Sequence, residues 1–272
     1  MTAKAPWAGG AFGSRGECVL APNPGSMTLD GTNTWVLREP GARRCVVVDP
    51  GPSIPSHIDA VIEAAGDVGL ILVTHHHFDH TDALAELCER VGAPARALTT
   101  EWCVDAEPLV DAEEIDVDGL AIRVVATPGH TADSTSFVLP AERVLLTGDT
   151  VLGRGTSIVA HPDGQLGAYF ASLDRMRAIV AAGEVETIWP AHGPVIDDAL
   201  AVLDFYAAHR RERLEQVQSA VARLKAEPHP EGIAAAELPR RIVEIVYADV
   251  DTSLWDAAEW SVRAQLAYLA ET

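Results

Sequence analysis

The chain has 272 residues, 48% of them hydrophobic, so it is long enough to bury a substantial core. Its formal net charge of -20, from 20 basic and 40 acidic side chains, disfavours polyanionic partners such as nucleic acids and anionic membrane surfaces. The four cysteines are scattered without a Cys-x-x-Cys pair, and no apolar stretch has the length of a membrane span, so we expect a reduced, cytoplasmic protein.

The first 200 residues alternate short apolar runs with turns and helical stretches, the pattern of strands packed between helices. Helices are predicted at 82–91, where Leu84, Leu87 and Cys88 share a face, and at 166–180. Strands are predicted at 34–37, 45–48, 70–73, 122–126, 135–138, 144–146 and 187–189. We therefore expect an α/β catalytic domain over residues 1–200.

The pattern changes after residue 192. Residues 196–224 have the spacing of one long amphipathic helix, and a loop rich in Pro and His follows. Two more helices are predicted at 234–247 and 253–269, the second opened by Ser253 and Asp256 in a capping-box-like arrangement. Residues 201–272 are therefore predicted to form a small, mainly helical C-terminal domain.

A cluster of potential metal ligands follows the predicted strand at 70–73, in the sequence Thr-His-His-His-Phe-Asp-His. Residues two apart in an extended segment face the same way, so His75 and His77 can hold one ion while His76 points elsewhere. Asp79 and His80 then face a second ion. Histidine is rare in proteins, and this spacing at a strand end points to a metal site.

Three later side chains also come directly after predicted strands, namely His130, Asp149 and His192. Alone, each is more often a turn or a satisfied polar residue, but together they complete two ligand sets. Each ion of a catalytic pair needs about three protein ligands and an open position. We expect one ion on His75, His77 and His130, a second on Asp79, His80 and His192, and Asp149 as the bridge between them.

These residues resemble the metallo-β-lactamase superfamily. Its signature His-x-His-x-Asp-His is intact at 75–80, and Pro-Gly-His, Gly-Asp and Ala-His-Gly follow in the expected order. The match covers about the first two hundred residues. The resemblance implies an αββα sandwich with the metals at one edge of the two sheets.

Further segments are similar to the branch called β-lactamase-like protein 2, which is related to glyoxalase II. They are Asn23-Pro24-Gly25, Gly31-Thr32-Asn33-Thr34-Trp35, Val48-Asp49-Pro50-Gly51 and Pro162-Asp163-Gly164. The tail, with His209-Arg210-Arg211-Glu212-Arg213, resembles that branch's small winged-helix-like C-terminal domain.

The chain departs from many relatives at Thr81-Asp82-Ala83, where they continue Asp-His-x-Gly-Gly, so the start of the next helix and the nearby pocket wall are expected to differ. The resemblance also disfavours a dedicated antibiotic-resistance enzyme, because true β-lactamases generally lack an aspartate at the position of Asp149.

The leading functional hypothesis is a metal-dependent hydrolase with two zinc ions per chain, iron or manganese being the alternative metals. A metal-bridging hydroxide would cleave an ester, thioester or lactam-type bond in a small metabolite. Asp79 is the candidate catalytic residue, as proton acceptor or only as ligand. Two alternatives stay open: an endoribonuclease acting on single-stranded RNA, an activity known in relatives of the closer branch, and a di-iron redox or oxygen-binding protein.

Supporting roles are predicted for four more residues. Asp49 can orient a ligating histidine by accepting a hydrogen bond from its other ring nitrogen, although an Asp before Pro-Gly also suits a turn. Asn33, Trp35 and Thr156 are predicted to bind substrate, because the resemblance places their loops near the metals; local turn and core packing is the alternative. Residues 209–213 can guide an anionic substrate or form a solvated helix face. The oligomeric state stays open.

Overall fold

The computed structural model describes residues 6–226, 234 and 236–272. Two β-sheets pack face to face in it. The first has the strand order β1-β2-β3-β4-β5-β6, antiparallel from β1 to β4 and parallel from β4 to β6. Its strands are β1 Gly10–Phe12, β2 Gly16–Leu20, β3 Asn33–Leu37, β4 Cys45–Val48, β5 Val68–Leu72 and β6 Ala95–Arg96.

The second sheet has the order β11-β10-β9-β8-β7. The β10 and β11 strands are parallel, and the other neighbours are antiparallel. Its strands are β7 Glu114–Val117, β8 Leu120–Ala126, β9 Thr135–Leu139, β10 Val144–Leu146 and β11 Thr187–Trp189. Every strand predicted from the sequence is present, while β1, β2, β6 and β7 were not predicted.

Helices cover the outer faces of both sheets, which confirms the expected αββα sandwich. On the first sheet lie α1 Pro55–Ala65, α2 Phe78–Thr81 and α3 Leu84–Val91; on the second lie α4 Leu166–Ala181 and the start of α5 Ala199–Ala226. Because layers lie on both sides of each sheet, central strands such as β3, β4 and β9 are buried at every position. Apolar side chains of both inner faces fill the space between the sheets.

The C-terminal part is mainly helical, as predicted. The end of α5 packs with α6 Leu238–Val246 and α7 Trp255–Glu271 around a separate apolar cluster. The predicted boundary after residue 200 falls inside α5, whose Leu203 and Tyr206 pack in the core over the second sheet. The division into 1–200 and 201–272 therefore stays a prediction. The loop rich in Pro and His lies outside the described residues.

The predicted capping box at the last helix is wrong. The α7 helix begins at Trp255 and has no side-chain cap. Instead, the Asp251 carboxylate accepts a hydrogen bond from the backbone N–H of Ser253 and caps a short 3-10 turn that leads into α7.

All four cysteines are free thiols, and three of them are buried. In the described parts of the chain we find no helix with the length and hydropathy of a membrane span.

Candidate metal centre

The seven predicted ligands meet at one edge of the sandwich because each follows, or lies between, strands that end there. His75, His77, Asp79 and His80 follow β5, and His130 lies between β8 and β9; Asp149 follows β10, and His192 follows β11. We call His75, His77 and His130 the trihistidine group, and Asp79, His80 and His192 the aspartate group.

The trihistidine group converges through its ring nitrogens. His75 Nε2 and His130 Nε2 lie 2.9 and 3.1 Å from His77 Nδ1. One ligand atom from each member, together with one from Asp149, lies within 4.8 Å of the others, the separation expected of atoms around one ion. His77 therefore presents Nδ1 to the centre, whereas the other two present Nε2.

The aspartate group converges on one carboxylate oxygen. Asp79 Oδ2 lies 3.1 Å from His192 Nε2 and 3.3 Å from His80 Nε2. The Thr32 hydroxyl donates to the same oxygen at 2.8 Å, which fixes the Asp79 side chain. This set also meets the spacing of atoms around a single ion.

Asp149 lies between the two groups and turns one oxygen toward each. Its Oδ2 is 3.7 Å from His130 Nε2 and 4.0 Å from His75 Nε2. Its Oδ1 is 3.3 Å from His192 Nε2 and 3.7 Å from His80 Nε2. The structure thus brings all seven predicted residues together in the predicted grouping, with Asp149 in the bridging position.

Asp49 contacts His80 directly and His75 through Thr74. Its Oδ2 accepts from His80 Nδ1 at 2.9 Å and from the Thr74 hydroxyl at 2.8 Å, and Oδ1 accepts from the Thr74 backbone N–H at 2.8 Å. The Thr74 hydroxyl lies 3.0 Å from His75 Nδ1. Asp49 adopts a φ of 55°, a left-handed conformation that aspartate tolerates better than most residues. These contacts are the ones that the predicted orienting role requires.

Backbone carbonyls orient two more ring planes. His130 Nδ1 donates to the Ile158 carbonyl at 2.6 Å, and His192 Nδ1 donates to the Gly31 carbonyl at 3.1 Å. A carbonyl only accepts, so Nδ1 of each ring carries the proton. Nε2 of His130 and Nε2 of His192 therefore face the centre, where each can bind a cation in its unprotonated form.

Burial keeps the trihistidine group neutral. It lowers the pKa of His75 well below the ordinary 6.5, that of His77 to about 4, and that of His130 below 6.5. Neutral imidazole is the form that binds a metal ion.

The aspartate group has the opposite electrostatics. Burial disfavours the charged form of the imidazoles here too. The negative charges of Asp79 beside His80 and of Asp149 beside His192 outweigh this effect of burial. The pKa of His80 therefore lies well above 6.5, and that of His192 rises to about 10. Burial favours protonated carboxyls, yet His80 lowers the pKa of Asp79 and His192 lowers that of Asp149. Without a metal, this half is a set of buried ion pairs.

Two buried atoms of the centre have no hydrogen-bond partner among the described residues, His80 Nε2 and Asp149 Oδ1. They lie 3.7 Å apart. Buried polar atoms are rarely left without a partner, and both of these are ligand atoms that a divalent cation would satisfy. The histidine and aspartate donors therefore fit a divalent metal centre.

The predicted substrate contacts of Asn33 and Trp35 are wrong, because both side chains are buried. Asn33 Nδ2 donates to the carbonyls of Pro190 and Gly193 at 2.9 Å each, and Trp35 stacks on Trp189 at 4.6 Å in the core between the sheets. Asn33 thus holds the loop that carries His192. Thr156 is half-exposed and lines a cleft beside α5 and α7.

Sequence reasoning missed three residues around the centre. Thr74 links Asp49 to His75, and the Ser157 hydroxyl lies 3.1 Å from His130 Nδ1. Asp133 contacts His76 Nδ1 at 2.8 Å and holds that ring outside both groups. Thr74 and Asp133 lie close to His75 and His130 in the sequence, which indicated that they could contact these histidines. Only the fold shows the directions of the three side chains.

Gly148 brings the Asp149 loop against the histidine loop. It has a φ of 50°, and a Cβ there would lie 2.7 Å from Thr74 Oγ1. A larger residue at this position would separate Asp149 from the two groups.

Comparison with known proteins gives matches over both parts of the chain. The Metallo-beta-lactamase superfamily matches residues 27–192, and the Beta-lactamase associated winged helix domain matches residues 239–272. A Beta-lactamase-like protein 2 homolog of Drosophila melanogaster is 31% identical over 270 residues, covering 92% of this chain and 86% of its own.

Two solved structures share the fold. A metallo-beta-lactamase family protein from Thermus thermophilus superposes with a TM-score of 0.73 at 23% identity, over 93% of this chain and 92% of its own. A second protein, described as being in a di-iron-bound form, superposes with a TM-score of 0.52 at 23% identity, over 65% of this chain and 93% of its own.

Proposed function

Since the chain belongs to the metallo-beta-lactamase superfamily, we propose that it is a hydrolase that holds two zinc ions, one on the trihistidine group and one on the aspartate group. The observation that carries the proposal is the position of Asp149, whose two carboxylate oxygens face the two groups separately. A structural zinc site holds a single ion on four protein ligands, whereas here two ligand groups share one carboxylate, which is the arrangement of a two-metal catalytic site.

The ligand chemistry supports zinc. Five imidazoles and two carboxylates surround the centre, and no cysteine belongs to either group. Imidazole suits zinc and iron, while manganese prefers a site richer in carboxylates. Iron is the alternative, since a relative of the same fold is described as di-iron-bound. Elemental analysis of protein purified without added metal distinguishes the two, and iron with a visible absorption band would overturn the assignment of zinc.

When bound, two divalent ions supply a Lewis acid for a carbonyl oxygen and lower the pKa of a water between them. Asp79 is the residue that we propose as proton acceptor, because 26% of its side chain is exposed against 12% for Asp149. Its Oδ2 is occupied by Thr32, His80 and His192, so Oδ1 is the atom placed to take the proton from the attacking water.

The proposed substrate is a small molecule with an ester, thioester or lactam-type bond. Cleavage of single-stranded RNA is the second candidate, and a continuous basic path from the tail to the metals would favour it. Arg210 is instead buried in a cavity of about 260 Å³, a volume suited to a small group rather than a strand. The net charge of -20 also opposes the approach of a polyanion.

A parallel activity screen of zinc-loaded protein tests the proposal, with Asp149→Asn as the control variant of matched size. The substrates are a thioester, a lactone, a β-lactam, a phosphodiester and a short RNA. We expect zinc-dependent cleavage of carbonyl substrates that the variant lacks. Cleavage of RNA alone would establish the second candidate, and equal rates in protein and variant would refute the assigned centre.

A further inference from the structure

A cleft of about 260 Å³ lies between the sandwich and the C-terminal helices. Its walls are the segment 156–158, the middle of α5, the start of α7 and the loop at 26–27. We call it the arginine cleft, because Arg210 and Arg213 of α5 both line it.

Arg210 is a buried cation that forms no ion pair with a described residue. Only 6% of the residue is exposed. One guanidinium nitrogen donates to the Ser157 carbonyl, and the group lies over the Tyr169 ring at 5.0 Å. Its Nε is buried without a hydrogen-bond partner among the described residues. Burying a charge in this way is unfavourable unless an opposite charge compensates it.

Arg213 adds a second positive charge, and its partners in the described part of the chain are also neutral groups. Its Nη1 donates to Gln216 Oε1 at 2.9 Å and to the Val246 carbonyl at 3.1 Å, and its guanidinium lies over the Tyr247 ring at 4.9 Å. Although the chain has 40 acidic side chains, no Asp or Glu is among the described residues that line the cleft. The described residues therefore provide two cations and a cavity but no anion.

The arginine cleft shares a wall with the metal centre. The Ser157 carbonyl accepts from Arg210, while the Ser157 hydroxyl lies 3.1 Å from Nδ1 of His130. One residue thus separates a group held in the cleft from a member of the trihistidine group. Thr156 adds a polar side chain and half-exposed Met27 an apolar one to the same cleft.

We propose that the arginine cleft binds a carboxylate or phosphate group of the substrate, while the bond to be cleaved lies at the metal centre. The second part of this proposal, the position of the bond to be cleaved, rests on the hydrolase function proposed above. Guanidinium groups bind both anions through charge-assisted hydrogen bonds, and each such bond is among the stronger ones in proteins. A bound anion would neutralise the charge of the Arg210 guanidinium, which the described side chains around it do not neutralise.

The first experiment measures anion binding directly. Titration calorimetry of the zinc-loaded protein uses sodium sulfate, a tetrahedral dianion like phosphate, and sodium acetate, at constant ionic strength. Ala257→Asp introduces a carboxylate at the wall formed by α7, next to the two arginines, and needs no buried cation to be removed. Ala208→Asp, on the exposed face of α5, is the control with the same charge change.

We expect one site that binds sulfate, acetate or both, with binding weakened at least about tenfold in Ala257→Asp and retained in Ala208→Asp. The stronger of the two anions identifies the group that the cleft prefers. Absence of binding in the unmodified protein, or equal binding in both variants, would overturn the proposal.

The second experiment compares an S-acetyl thioester that carries a free carboxylate with the same thioester blocked as the primary amide. We expect Ala257→Asp to raise KM for the carboxylate compound at least about tenfold relative to the amide compound, with little change in kcat. Equal effects on the two compounds would refute a substrate site. If neither compound is hydrolysed, the hydrolase proposal fails for thioesters, and the calorimetry alone decides whether the cleft binds anions.

Discussion

The Asp49 carboxylate fixes two metal-binding histidines at once, so Asp49→Asn should weaken zinc binding without removing any ligand. Its two oxygens accept three hydrogen bonds, from His80 Nδ1, the Thr74 hydroxyl and the Thr74 backbone N–H. An asparagine has one acceptor oxygen, and its NH₂ group must face one of these donors in either orientation. His80 then loses the tautomer that directs its Nε2 lone pair to the metal, or Thr74 loses its partner.

Replacing a residue that orients a metal ligand typically costs roughly 10- to 100-fold in metal affinity, which corresponds to about 1.4–2.8 kcal/mol. We expect a loss of zinc affinity in this range for Asp49→Asn, with a matching loss of turnover at limiting zinc. Competition with a chromophoric chelator measures the affinity, and far-ultraviolet circular dichroism shows whether the fold is retained.

Asp133→Asn is the matched control. Asp133 is also buried and also contacts a histidine and a threonine, His76 and Thr131, each at 2.8 Å. His76 belongs to neither ligand group, so this variant should keep the zinc affinity of the unmodified protein. Zinc affinity of Asp49→Asn within about twofold of Asp133→Asn would refute the orienting role of Asp49.

Three further predictions concern the same centre. Gly148→Ala should lower the free energy of unfolding by about 1–3 kcal/mol, because a Cβ there would meet Thr74 Oγ1; urea titration checks this, and unchanged stability would contradict the close approach. Removal of zinc by a chelator should cost about 3 kcal/mol of stability for each of the two ions, relative to protein in zinc at a hundred times the Kd of each site; calorimetry measures this, and an unchanged melting temperature would argue against a resident metal. Zinc binding at pH 7 should release about two protons from the ligands, besides the proton lost by the metal-bound water, because the raised pKa values of His80 and His192 favour their protonated forms before zinc binds. The release should diminish above pH 10, as His192 deprotonates without metal. Titration in buffers of different ionisation enthalpy measures it, and no release at pH 7 would contradict the ion pairs.

The sequence located the metal centre well because ligand chemistry is local. The spacing of His75, His77, Asp79 and His80 sets which side chains share a face, and their place after a strand sets the edge at which they gather. The two groups were predicted from the same spacing, which places His75 and His77 on one ion and Asp79 and His80 on the other, and the structure has the same two groups.

The wrong predictions for substrate-binding residues concern the direction of the side chains rather than their position in the fold. Asn33 and Trp35 lie on β3, a central strand buried on both faces, so the resemblance that places their segment near the metals did not show that their side chains point away from the substrate side. The β1 strand was missed because it has only three residues, and β2 because Gly16 and Glu17 give it little of the apolar pattern of a strand. The α1 helix was missed although a proline at its start is a signal for a helix. The arginine cleft depends on contacts between residues more than 50 positions apart, such as Arg210 with Ser157, which no local pattern encodes.

The continuous α5 helix affects how this protein can be divided or recombined. It runs for 28 residues, about 42 Å. Its first turns supply Leu203 and Tyr206 to the sandwich, where the Tyr206 hydroxyl accepts from the Leu152 N–H at 2.9 Å, and its last turns belong to the C-terminal cluster. A crossover between related genes at residue 200 would deprive the sandwich of part of its own core. A junction in the chain after α5 would keep Leu203 and Tyr206 with the sandwich, so that its core would change only where α7 contributes Ala264. An exchange of α6 and α7 between relatives would also replace the outer wall of the arginine cleft.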